Sequence, residues 1–272
     1  MSDNGLRSSG SRYNTRVADS VLNELAASLE SGSVRIVDLT SPLTEQTPMI
    51  GLPPPYENAP GWSLETMARY DERGETWYWN KFSGSEHMGT HFDAPVHWIT
   101  GRDGEDVGEI PGSKLIGPAV VLDRTAEAAR DPDYLVEIED VEALGELPAG
   151  GWLLLRTGWS ERHPDPERFL NGSRWPGVSV ECSRYLANET PLRGYGCEHV
   201  GIDWGRAYEM DPPYPMHYHM LGAGKYGLAS LADLSELPER GAVLIAAPLR
   251  IAGGSGAPVR VYALVSDLGS GR

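Results

Sequence analysis

The sequence predicts a single mixed α/β domain with a substantial sheet, and three observations carry that expectation. Short apolar runs bounded by Gly or Pro recur along the chain at strand length. Stretches with helical spacing lie between some of them. No internal repeat, and no linker rich enough to mark a boundary, divides the 272 residues, of which 40% are hydrophobic.

From the N-terminus, Met1–Arg16 is rich in Ser, Asn, Gly and Arg and reads as a disordered tail ahead of a domain over 17–272. Val21, Leu22, Leu25 and Leu29 stand at helical spacing and predict a helix over Ala18–Glu30. Strands are predicted at Val34–Leu39, Trp77–Phe82, Pro118–Asp123, Gly151–Arg156, His199–Trp204, Ala242–Ile251 and Val259–Val265. Helices are expected around Ile138–Leu144 and Val180–Ala187, with short turns near 219–223 and 231–237. Gly253, Gly254 and Gly256 predict a tight turn before the last strand.

The formal charge of −16 disfavours nucleic acid and anionic membrane as partners, since both would be repelled. No stretch approaches the roughly 18 apolar residues of a membrane span. Cys182 and Cys197 are too few for a disulfide framework and form no Cys-x-x-Cys, so a reduced, cytoplasmic setting is expected.

The chemistry concentrates in His87-Met88-Gly89-Thr90-His91-Phe92-Asp93-Ala94-Pro95-Val96-His97. His217 and His219 form a second cluster, so that five of the seven histidines fall in two short stretches. Imidazole with carboxylate suits a borderline or hard divalent cation such as zinc or manganese. Gly89 and Pro95 argue against a helix here. In an extended chain His91 and Asp93 lie about 6.6 Å apart at Cα, close enough to share an ion, whereas His87 and His91 lie about 13 Å apart. The chain must therefore bend, and Gly89 is the residue that permits it. Pro95 then turns the chain and leaves His97 beside the site.

Other motifs carry less. Gly222-x-Gly224-x-x-Gly227 matches a dinucleotide fingerprint as a string, but it follows Pro-Tyr-Pro-Met-His-Tyr-His and not a hydrophobic strand. Cys197, next to Glu198 and His199, reads as a structural residue in a buried strand over Gly194–Trp204. His163 reads as a surface loop residue. Trp77, Trp79 and Trp98 flank the histidine segment and, where not core, suit a flat-walled pocket for an aromatic or cyclic molecule.

The 87–97 segment resembles the signature of the cyclase family of metal-dependent hydrolases, which includes bacterial kynurenine formamidase and isatin hydrolase. Ile36–Thr40, Leu154–Trp159, Gly201-Ile202-Asp203, Ala247–Arg250 and Gly253–Arg260 are similar to other family segments in the expected order. The resemblance implies a swivelling β/β/α domain with a mixed central sheet, seen as a homo-oligomer (dimer or tetramer). It implies His87, His91 and Asp93 as metal ligands, with His97 as a nearby catalytic base and His217 as a second catalytic histidine. In the formamidase branch the latter pairs with a glutamate twelve positions on to hold a second zinc; here Ala229 stands there. The resemblance therefore leans toward the one-metal, isatin hydrolase-like branch, where manganese is usual, and Arg69–Asn80 also looks like that branch. The resemblance assigns His219 no role, and it stays open as an extra ligand or a spectator.

The expected chemistry is attack of metal-activated water on the carbonyl of a cyclic amide or lactone, with one divalent ion, Mn²⁺ or Zn²⁺, as cofactor. His97 would take the proton and His217 would return one to the leaving nitrogen. An N-formyl amide hydrolase and a metal-dependent lyase or dehydratase stay open as alternatives.

Overall fold

The computed structural model describes residues 15–52 and 54–266. The chain opens with α1 (Thr15–Ser31) and β1 (Val34–Asp38), then a hairpin of β2 (Ser63–Asp71) and β3 (Gly74–Ser83). After β4 (His91–Asp93) come β5 (Ile116–Asp123), α2 (Thr125–Arg130), β6 (Leu135–Val136), α3 (Ile138–Glu142) and β7 (Trp152–Arg156). Next are α4 (Pro166–Leu170), β8 (Gly177–Val178), α5 (Val180–Asn188) and β9 (Gly194–Cys197). A π-helical turn (His217–Leu221) precedes β10 (Tyr226–Ala229), β11 (Arg240–Pro248) and β12 (Gly256–Ser266).

Eight strands form one mixed sheet in the order β1-β12-β11-β5-β7-β9-β10-β4, and β4 also pairs with β12. That last pairing closes the sheet into a barrel-like ring. β5, β7, β9 and β10 run parallel to their neighbours in that series, and the remaining pairs are antiparallel. β7 shows why the apolar runs were continuous. Trp152 and Leu154 enter one core cluster, with Phe92, Tyr226, Leu228 and Val261. Leu153 and Leu155 enter the other, beneath α3 and α5 with Val141, Cys182 and Leu186. A strand buried on both faces has no polar face to alternate with.

The structure departs from the sequence expectation in particular places. Of the expected tail, residues 1–14 lie outside the described residues, while Thr15 and Arg16 already belong to α1. The strand expected over His199–Trp204 is instead a bent loop, because β9 stops at Cys197. Glu198 there accepts bonds from Thr157, Trp159 and Ser160, which hold the chain in the loop. Trp77–Phe82 is strand, but in a separate hairpin outside the main sheet. His163 is half-buried, its ring edge-on to Phe169 at 5.9 Å, and not a plain surface residue. Among the described residues no helix is long and apolar enough to cross a membrane.

Candidate metal centre and active site

Asp93 sits where the ring closes. It lies opposite Gly227 on β10 and Gly256 on β12, so β4 is gripped from both sides. Both neighbours must be glycine. A Cβ at Gly227 would approach Asp93 Oδ2 to 2.8 Å, and one at Gly256 would strike the Phe92 carbonyl at 2.3 Å and the His87 ring at 2.5 Å. Gly89 takes a left-handed φ of +55°, and the resulting bend brings the His87 and His91 rings to 5.4 Å between centroids. Ala94–His97 then turns through a short 3₁₀ segment begun by Pro95, and His97 stacks on His87 at 3.8 Å.

Donor positions decide what this cluster can bind. His91 Nδ1–H donates to the Gly89 carbonyl at 2.8 Å, so the Nε2 lone pair faces Asp93 Oδ1 at 3.4 Å. The Ser255 hydroxyl donates to Glu86 at 2.8 Å, and its oxygen accepts from His87 Nε2–H at 2.8 Å. In the neutral His87 ring that leaves the Nδ1 lone pair 2.8 Å from Asp93 Oδ1. With both rings neutral, two nitrogen lone pairs face one carboxylate oxygen with no proton between them; with His87 protonated, its Nδ1–H donates to that oxygen instead. Asp93 Oδ2 is buried and has no hydrogen-bond partner. A cation shared among these atoms resolves both conflicts, and imidazole with carboxylate is a donor set suited to zinc or manganese. Among the described residues, the group whose donor atoms all lie within 4.8 Å of one another is His87, Asp93 and His97; His91, an expected ligand, reaches Asp93 at 3.4 Å but stands outside that group.

Electrostatics separates the roles further. Burial alone would raise the Asp93 pKa, but the neighbouring His91, His87 and His97 hold it far below the usual carboxylate range. His97 is pushed down to about 3, by burial first and against the pull of Asp93. His91 is likewise lowered by burial. His217 goes the other way: burial opposes its charge, yet the Asp203 carboxylate outweighs this and raises its pKa. Asp203 Oδ2 accepts from His217 Nδ1–H in a short hydrogen bond, and His217 Nε2 faces Asp93 Oδ2 at 3.9 Å. Trp98 lies over His217 with centroids 4.8 Å apart, and Tyr214 packs against Trp98 at 5.6 Å, which gives the site an aromatic wall.

Ala229 pairs with His91 across β10 and β4 and is fully buried. Its methyl group offers no ligand where the formamidase-like pattern has a carboxylate. His219 packs on Tyr218 at 5.1 Å, and burial followed by the Arg184 charge lowers its pKa. Sequence reasoning gave Asp203 no role, and it did not foresee Ser255 or Glu86 behind His87. The only signal for Asp203 was its place in Gly201-Ile202-Asp203; nothing in the sequence links it to a histidine fourteen positions on.

The cyclase family model matches residues 37–204. An isatin hydrolase from Roseibium aggregatum is 41% identical over 259 residues, covering 91% of this chain and 98% of the relative. A kynurenine formamidase from Salinibacter ruber is 32% identical over 181 residues, 65% of this chain and 74% of the relative. A crystal structure of an isatin hydrolase bound to the product analogue thioisatinate superposes with a TM-score of 0.89 at 40% identity, covering 92% of this chain and 99% of that one.

Proposed function

The chain belongs to the cyclase family, and from that footing we propose that it is a metal-dependent hydrolase opening a cyclic amide of the isatin type to a carboxylate. The observation that carries this reading is the likeness to an isatin hydrolase along nearly the whole of both chains. The buried Ala229 opposite His91 agrees with it, since a one-ion site needs no further carboxylate there.

In this reading His87, His91 and Asp93 hold one divalent ion, Mn²⁺ or Zn²⁺. Such an ion supplies a Lewis acid that polarises a carbonyl and, in the case of zinc, brings the pKa of water to about 7. In the same reading His97, stacked on His87 beside the donor atoms, accepts the proton that the attacking water gives up. The new C–O bond forms as the ring C–N bond breaks. His217 delivers a proton from Nε2 to the departing nitrogen, and Asp203 stabilises the imidazolium that precedes delivery. Trp98 and Tyr214 offer a flat wall for a fused or aromatic ring.

We also propose a homo-oligomer. Leu64, Tyr70, Trp77, Trp79 and Phe82 on the β2–β3 hairpin are all at least half exposed, and a two-stranded hairpin needs a packing partner for stability. A second copy is the partner we propose, with a reducing, cytoplasmic setting in which Cys182 and Cys197 stay as free thiols.

Parallel assays of the purified protein with isatin and N-formylkynurenine test the function. The reading expects ring opening of isatin with little action on the formamide. Preference for the formamide would overturn it in favour of the other branch.

A further inference from the structure

We propose that Asp203 is a positioning residue of the active site: it fixes the ring orientation and tautomer of His217, so that Nε2 is the nitrogen presented to substrate. This deepens the proposed hydrolysis and rests on that reading for its kinetic consequence, though not for its structural one.

Asp203 is 5% exposed and lies in the bent loop that follows β9. Its own backbone is held, since Trp175 Nε1–H donates to the Asp203 carbonyl at 2.9 Å. The neighbouring Trp204 backbone packs so closely on Gly177 that a Cβ there would sit 2.4 Å from Trp204 Cα. The loop therefore has little freedom to carry the carboxylate elsewhere. From this fixed place the side chain reaches the start of the π-helical turn. Oδ1 accepts from Met216 N–H at 2.7 Å, and Oδ2 accepts from the His217 Nδ1–H and, more weakly, from His217 N–H at 3.4 Å.

The arrangement determines which nitrogen does the work. A carboxylate can only accept, so Nδ1 must carry the proton in both charge states of the ring. Nε2 is then the sole variable position, and it points toward Asp93 Oδ2 and the space beside His97, whose ring centroid is 5.4 Å away. Trp98 packs over one face of the imidazole, with centroids 4.8 Å apart. Without Asp203 the ring could flip or take the other tautomer, and the nitrogen that gains and loses the proton would then no longer be the one presented to substrate. Histidines held by a buried carboxylate in this way lose most of their value as proton carriers when the partner cannot select the tautomer.

A competing role exists in the same geometry. The two backbone bonds make Asp203 a cap for the turn, and loss of a cap acts on stability and on all nearby groups alike. The tests are built to separate the two. Asp203→Asn keeps the size and one acceptor oxygen. We expect this variant to retain metal content and KM within about threefold while kcat falls by roughly 10²–10⁴, the range of a lost general acid–base contribution. In a His217→Ala background the same substitution should cost under about threefold more in kcat, because a residue acting through His217 has nothing left to act on. A pure cap would show the full loss in both backgrounds, which would overturn the proposal.

Ring-nitrogen NMR of His217, on the protein as purified and on a sample loaded with diamagnetic zinc, reads the tautomer directly. His217→Ala identifies the resonance. Protonated Nδ1 in the wild type and a shifted or mixed tautomer in Asp203→Asn support the assignment; an unchanged tautomer overturns it. Because this readout needs no substrate, failure to hydrolyse cyclic amides would remove the functional reading and leave the Asp203 assignment to stand or fall by itself.

Discussion

Asp93 and Glu198 are both fully buried carboxylates with imidazoles close by, yet their surroundings differ in one respect. Glu198 Oε2 accepts from Thr157 N–H at 2.7 Å, Trp159 N–H at 3.1 Å and the Thr157 hydroxyl at 3.2 Å, and Oε1 accepts from Ser160 at 2.8 Å. His199 extends that network through Nε2 to Thr157 Oγ1 at 2.9 Å. Every oxygen of Glu198 is spoken for. Asp93 has Oδ1 against the His87 and His91 nitrogens, while Oδ2 has no hydrogen bond, its nearest imidazole nitrogen being His217 Nε2 at 3.9 Å. Donors complete the first cluster, which ties the end of β7 to the exit from β9. The second leaves Oδ2 without a donor, and the proposed ion would complete it.

Breaking the open cluster should have the largest effect. Asp93→Asn is expected to abolish metal binding and reduce turnover to background, as measured by elemental analysis beside the assay; a full metal complement would erase the distinction drawn between the two carboxylates. His97→Ala should keep the ion and lose about 10²–10⁴ in kcat, since it removes a proton acceptor. Unchanged turnover would take His97 out of the chemistry.

The closed cluster should respond in stability instead. Glu198→Gln replaces an acceptor-only group with one that carries its own donors, and should cost about 1–3 kcal/mol in denaturant unfolding while KM and metal content hold. A pH series on metal-free protein sharpens the contrast. His97 and His199 are both pushed down to about 3 by burial, so between about 3 and their unfolded value of 6.5 the unfolded chain binds the extra protons. Stability from these groups is present above 6.5 and is lost as pH falls, by about 1.4 kcal/mol per pH unit for each. Glu198, raised by burial, and His217, raised by Asp203 against its burial, act in the opposite sense. Removing His199 should flatten the curve without touching the metal; a curve of unchanged slope would contradict its burial as a neutral ring. The smallest effect is expected at Cys182, whose thiol burial pushes up to about 12: native protein should resist alkylation there at neutral pH, and rapid labelling would show that this core opens.

Much of the frame was legible before any coordinates. β1, β5, β7, β11 and β12 declared themselves as apolar runs between Gly and Pro, because strands buried on one or both faces leave that trace. The bend at Gly89 followed from the reach of imidazole ligands along an extended chain. β4 and β10 were harder, being three and four residues long, and β2 carries too many polar residues to read as buried. The exit from β9 misled because its apolar residues serve a folded loop, not a strand. Asp203, Ser255 and Glu86 act across 14, 168 and 169 positions respectively, and no local pattern encodes contacts of that span.

In the proposed reading one ion fills the gap at Asp93. Elemental analysis of the purified protein, confirmed by titration of metal into stripped protein, should give a single divalent ion per chain. A protein that takes up none, or that binds two with comparable affinity despite Ala229, would contradict it.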